Sequence, residues 1–147
     1  MEKYELDKDI SVLFVEAASF PDGIRAAFDS LSGSLSQKEN RTFFGISHAN
    51  QEGKIIYKAA AWEKYEGEGK DSGLKTLRIK KGIYTGKLIR DFRKNIPLIG
   101  ETFRKLLAEP DLDKDSFCLE WYQGKEDVLC LVKLKSVQPG EELLHPN

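Results

Sequence analysis

Asn95-Ile96-Pro97-Leu98-Ile99-Gly100-Glu101-Thr102-Phe103-Arg104-Lys105-Leu106-Leu107 is the stretch on which the reading of this chain turns. A proline just inside a helix entrance has no amide proton to waste. Ile99, Phe103, Leu106 and Leu107 then share one helical face before Pro110 stops the run. The same grammar occurs earlier. Ser19-Phe20-Pro21-Asp22 supplies a proline and an acid suited to the positive end of a helix dipole. Ile24, Phe28, Leu31 and Leu35 follow at spacings of four, three and four, with Gly33 weakening the last turn.

Each helix has a strand before it and a hairpin after it. Ile10 to Ala18, with Val12, Leu13, Phe14 and Val15, reads as a buried strand ahead of the first helix. Thr42 to His48 and Lys54 to Lys64 flank the polar, glycine-ended link Ala49-Asn50-Gln51-Glu52-Gly53. Leu74 to Leu88 alternates loosely around Gly82 ahead of the second helix, and Phe117 to Tyr122 and Val128 to Leu134 pair across Gly124. An offset of 75 residues lays Phe28 on Phe103, Leu31 on Leu106, Phe44 on Leu119 and Ile56 on Leu131. The expectation is an α+β chain forming one domain over 1–147 with two βαββ halves. The first half runs over about 10–64 and the second over about 74–135. Between them 65–73, with Gly67, Gly69 and Gly73 among acids, is a linker, and 136–147 is a loose tail.

Composition narrows the function classes. The chain of 147 residues carries 23 basic and 24 acidic side chains, 40% hydrophobic and 32% charged residues. That balance excludes intrinsic disorder. No apolar run approaches the ~20 residues that a bilayer demands. The start, MEKYELDKDI, alternates charges where a secretory signal has an apolar core. A cytoplasmic protein with no membrane partner is expected. Cys118 and Cys130, with His48 and His145, are the only cysteines and histidines. They offer neither a disulfide framework nor a closed tetrahedral metal site, so no metal and no cofactor are expected.

Several motif-like stretches fail on their spacing. Gly67-Glu68-Gly69-Lys70-Asp71-Ser72-Gly73 lacks the phosphate-loop pattern, carries two acids and leads into a strand. Asp111-Leu112-Asp113-Lys114-Asp115-Ser116 opens like a calcium loop, but serine stands where the turn needs glycine, and Tyr122 where glutamate must close it. Gly45-Ile46-Ser47-His48-Ala49 lacks the closing glycine of a nucleophile elbow. No catalytic set emerges. Between Lys75 and Lys94 eight cations face Asp91 alone, a segment of +7 that suits either a phosphate backbone or a solvated face. No aromatic platform accompanies them, so nucleic acid is not expected as a partner.

TLRIKKGIYTG, the helix IPLIGETFRKLL, and the strands CLEWYQG and VLCLVKL together resemble the GyrI-like effector-binding domains, here in stand-alone form. Leu119-Glu120-Trp121-Tyr122 is similar to that family's glutamate-x-aromatic strand, and Val132-Lys133-Leu134 to its closing apolar strand, though without the family's proline. The resemblance implies two βαββ modules about a pseudo-twofold axis, with a ligand cleft between them. It also implies binding of bulky, often cationic or aromatic molecules, and some relatives hydrolyse small reactive ring compounds.

The side chains supply chemistry for such a cleft. Alternation puts Phe117, Leu119 and Trp121 on one side of a strand and Cys118, Glu120 and Tyr122 on the other. With Phe117 and Leu119 covering the second helix, Glu120 and Tyr122 face the ligand, and Tyr57 joins them from the first half. Tyr84, Trp62 and Phe44 are further ligand-binding candidates. Each also has a structural role open to it: Glu120 as a surface partner of Lys133 or Lys135, the aromatics as packing. The expected function is a small-molecule-binding protein that senses or sequesters a bulky amphipathic ligand. Beside two complete halves no DNA-binding helix-turn-helix is expected, and a transcription factor is not the expected reading. The alternative is a hydrolase with Glu120 as general base and a tyrosine as proton donor. A lesser alternative is nucleic-acid binding through the basic segment. Ligand identity and oligomeric state are not legible in the residues.

Overall fold

In chain order, the computed structural model, which describes residues 1–36, 40–135 and 142–146, forms β1 (Glu2–Leu6), β2 (Ile10–Glu16), α1 (Ile24–Ser34), β3 (Phe43–Ala49), β4 (Ile55–Trp62), α2 (Glu68–Ser72), β5 (Lys75–Ile79), β6 (Gly82–Ile89), α3 (Pro97–Leu106), β7 (Cys118–Gln123) and β8 (Asp127–Lys133). A 3-10 turn at Phe92–Lys94 precedes α3. Contacts divide the chain into a first unit, Ile10–Ile79, and a second, Met1–Asp9 with Lys80–Asn147. The architecture is α+β, and every described strand pairing within each unit is antiparallel.

In the first unit the strand order is β3-β4-β2-β5. Helix α1 lays Ala27 and Leu31 on Leu13, Ala59 and Ala61, joined by Leu35 just beyond its end, with Phe28, Phe43 and Val15 at the margin. The alanines of β4 leave the helix room for close approach. Pro21 does not open this helix as the sequence grammar predicts. It stands in a turn, and α1 begins at Ile24. In the second unit the order is β7-β8-β6-β1. Here Pro97 does occupy the first turn of its helix, and Phe103 and Leu106 cover Val128, Cys130 and Val132 together with Ile89 and Phe92.

Three sequence expectations meet a different arrangement. Lys75–Ile79 pairs with β2 in the first unit instead of opening the second half, and β1 supplies the corresponding outer strand of the second unit. The 65–73 stretch holds a one-turn helix whose Glu68 is buried. The constant offset also breaks across the hairpins: Phe44 pairs with Ala60, whereas Leu119 pairs with Leu131. The second turn is the shorter, so Ala60, and not Ile56, is the register equivalent of Leu131. Of the expected tail only 142–146 lies within the described residues. There Leu144 bonds to β1, its N–H donating to the Lys3 carbonyl (2.9 Å) and its carbonyl accepting from Glu5 N–H (2.7 Å). Among the described residues, no helix is long and apolar enough to cross a membrane.

Gly86 sits where β6 meets β8 most tightly. A Cβ there would lie 2.1 Å from the Cys130 carbonyl oxygen and 2.6 Å from Leu131 Cδ2. The first of these is backbone and cannot swing away. Gly86→Ala is therefore expected to cost about 1–3 kcal/mol, the usual penalty of overpacking, read as a lower urea midpoint at unchanged slope. Gly33→Ala, with nothing within 4 Å of the added carbon, is expected to be neutral or stabilising.

Candidate functional site

Glu120 is the single charged residue of β7. It is only 9% exposed, and the Tyr122 hydroxyl donates to its Oε1 at 2.6 Å. Strand alternation puts the two on one face, and a short O–H···O⁻ bond of this kind is among the stronger neutral-to-charged contacts. The Tyr122 ring meets Phe92 at 5.4 Å between centroids, tilted by 58°. Leu98 and Ile99 of α3 border the same cluster.

That face is the one covered by α3, which corrects the expected orientation of β7. Cys118 and Tyr122 pack against the cluster of Phe103, Leu106, Val128, Cys130 and Val132, and the cross-strand partners of Cys118, Glu120 and Tyr122 are Val132, Cys130 and Val128. Leu119 and Trp121, opposite Leu131 and Leu129, lie on the other face and are also buried. Lys133, considered as a surface partner for Glu120, bonds to Asp113 at 3.4 Å.

The two thiols beside Glu120 are kept protonated. Burial, with the charge of Glu120 adding, pushes Cys118 up to about 11, and the same causes raise Cys130 further. Neither is a nucleophile at neutral pH.

Tyr84 belongs to the opposite face of the second unit's sheet. It pairs with Lys133 and Tyr4, whereas Thr85 pairs with Val132 of the α3-covered side. Its hydroxyl donates to the Lys80 carbonyl, and burial raises its pKa well above the ordinary tyrosine range. In the first unit Tyr57 lies on the α1-covered face, stacked on Phe20 at 5.9 Å and edge-on to Phe28 at 6.3 Å. Phe20, exposed over Tyr57, was not anticipated, although its place beside Pro21 marks it as a turn residue. Phe44 and Trp62 share the other face of that sheet, with centroids 6.3 Å apart. The structure thus brings Glu120 and Tyr122 into contact and puts Tyr84 on the reverse of their sheet.

Trp62 also borders a cavity of about 250 Å³ lined by Asn40, Arg41, Thr42, Glu63 and Lys64. Arg41 also belongs to a buried ion pair that no local pattern in the residues announces. Arg41 Nη1 and Nη2 donate to the two carboxylate oxygens of Glu68, each at 2.7 Å, and Nη1 also donates to the Trp62 carbonyl at 3.0 Å. Lys64 N–H donates to Glu68 Oε1 at 2.8 Å. The Arg41 hydrogen bonds hold the Glu68 carboxyl below the usual carboxylate range against the opposing effect of burial. The eight cations of the basic segment are all exposed, and Arg90 and Lys94 face Asp127 and Asp91 at 3.6 and 3.9 Å.

No protein-family model matches the chain, and no curated protein matches it. Solved structures do. An integron cassette protein from the mobile metagenome of Vibrio cholerae superposes with a TM-score of 0.61 at 9% identity, covering 91% of this chain and 95% of that one. SAV2435, in a structure bound to tetraphenylphosphonium, superposes with a TM-score of 0.57 at 12% identity, covering 90% of this chain and 93% of that one. This chain shares their fold. At such identities the likeness is one of backbone fold.

Proposed function

We propose that the protein binds a bulky, amphipathic, cationic small molecule at the α3-covered face of the second unit, with Glu120 as the counter-charge and Tyr122 and Phe92 as its aromatic surroundings. The observation that carries the reading is the Glu120–Tyr122 pair: a carboxylate held almost out of water and oriented by a phenol. A carboxylate largely out of water attracts a ligand cation strongly, and ring faces add ~0.5–2 kcal/mol each. The fold shared with a protein seen with tetraphenylphosphonium, a large hydrophobic cation, supports the same class of ligand. Phe20, open to solvent and stacked on the buried Tyr57, is proposed as a second aromatic contact surface within its own unit, with Tyr57 backing it. The placement of Tyr84, Trp62 and Phe44 on the reverse faces of their sheets supports packing roles for those three. The shared strand order supports reading the units as two repeats of one βαββ plan.

Calorimetric titration and thermal shift with tetraphenylphosphonium, against the neutral triphenylphosphine oxide, test the proposal. At a hundred times Kd a specific ligand stabilises by about 2.7 kcal/mol. The cation is expected to raise the melting temperature in a saturable way and the neutral compound to do so far less. Equal, non-saturating responses to both compounds would count against it.

A further inference from the structure

We propose that Glu5, Asp7 and His145 form a divalent transition-metal site that fastens the 142–146 segment to the outer edge of β1. Their ligand atoms, two carboxylate oxygens and one imidazole nitrogen, all lie within 4.8 Å of one another, and His145 Nδ1 stands 3.9 Å from Asp7 Oδ2. That last distance is too long for a hydrogen bond.

Backbone pairing brings the three together. Leu144 bridges Tyr4 in the parallel sense, through the bonds to Lys3 and Glu5 already described. In parallel strands paired residues point the same way and their successors point the other way. Tyr4 and Leu144 therefore share one face, and Glu5 and His145 share the opposite one. Asp7, two residues beyond Glu5, returns to the Glu5 side. On the far side of His145, the Gln123 side-chain amide donates to the Pro146 carbonyl at 3.0 Å. The imidazole is thus carried between two residues that are each tied down, so part of the ordering cost of a metal site is met by the fold.

The donor set selects the ion. One imidazole with two carboxylates suits zinc, manganese, cobalt or nickel better than calcium or magnesium, which favour all-oxygen shells. Zinc binds such atoms at about 2.0–2.2 Å, so the donors must close to roughly 3.3 Å from one another. Rotation of the exposed Asp7 and His145 side chains accommodates that movement, with water completing the shell. This open three-ligand arrangement differs from the closed cysteine–histidine site that the composition cannot build. Two carboxylates balance the ion's charge. An ion here would cross-link segments well separated in sequence and close the edge of β1 that faces away from β6, an edge strands ordinarily need covered.

The test is zinc titration into untagged protein stripped with chelator, followed by calorimetry, melting temperature and the amide and imidazole NMR signals. One zinc per chain is expected, with shifts at His145, Glu5 and Leu144 and a higher melting temperature. His145→Gln and Asp7→Asn, both at exposed positions, are each expected to weaken binding at least about tenfold and to abolish the thermal gain. His48→Gln and Cys118→Ser are expected to leave both unchanged. Zinc affinity unaltered in His145→Gln, affinity lost instead in His48→Gln or Cys118→Ser, or no binding at millimolar zinc would each overturn the proposal.

Discussion

Arg41→Ala is expected to lower the stability of the protein by about 3–5 kcal/mol, the loss seen when one partner of a buried ion pair is removed. Much of a typical domain's stability of about 5–15 kcal/mol would go with it. The Arg41 side chain is fully buried and Glu68 nearly so. Truncation leaves the Glu68 carboxylate buried, with the Lys64 N–H and the Lys64 charge in partial compensation. Arg41→Lys should recover only part of the loss, because an ammonium cannot span both carboxylate oxygens as the guanidinium fork does. The double variant Arg41→Met with Glu68→Leu should recover most of it, since an apolar pair of similar volume carries no stranded charge. Urea denaturation measures all three, and an Arg41→Ala midpoint within error of wild type would remove the ion pair from the account of this fold.

The same pair sets an acid limb. Arg41 holds the folded-state pKa of Glu68 below its ordinary value, so the folded protein keeps this carboxylate charged at pH values where the unfolded chain protonates it. The resulting stabilisation is complete above the unfolded glutamate value of about 4.3. It is lost as pH falls through the lowered folded value. In Glu68→Gln that group no longer titrates, and the fall in stability below about pH 4.3 should be correspondingly shallower.

Why this pair escaped the sequence is a matter of distance along the chain. Arg41 and Glu68 are 27 residues apart, and the only local sign is an acid set between Gly67 and Gly69. Local patterns did reveal α3, because Pro97 and the spacing of Phe103 and Leu106 are properties of one turn and one face. They could not say which outer strand each half acquires, since β1 and β5 are short alternating runs whose partners lie elsewhere in the chain. The face of β7 was illegible for another reason. Alternation sorts Cys118, Glu120 and Tyr122 from Leu119 and Trp121, but both sets are largely buried, and a strand covered on both sides carries no sign of which side meets the helix. The contact between Glu120 and Tyr122 was legible, because two residues apart on a strand means the same face whichever way that face points.

Glu120→Gln is expected to keep the fold while weakening a bulky cationic ligand by about 1–3 kcal/mol, roughly five- to 150-fold in Kd. The amide retains an oxygen that can accept from Tyr122, so the local packing with Phe92 has no reason to change. What disappears is the negative charge, and with it the attraction that offsets the desolvation of the ligand's cation. A neutral aromatic ligand relies on ring contacts alone and should lose much less. Tyr122→Phe separates orientation from charge: it removes the 2.6 Å bond but leaves both the carboxylate and the ring. Its effect on the cation should therefore be smaller than that of Glu120→Gln. Paired titrations of tetraphenylphosphonium and triphenylphosphine oxide into the three proteins provide the comparison. A hydrolase would show another pattern, with Glu120→Gln retaining affinity for its substrate but losing turnover. Should Glu120→Gln bind the cation as tightly as the wild type, Glu120 is not the counter-charge and the carboxylate of this strand is structural.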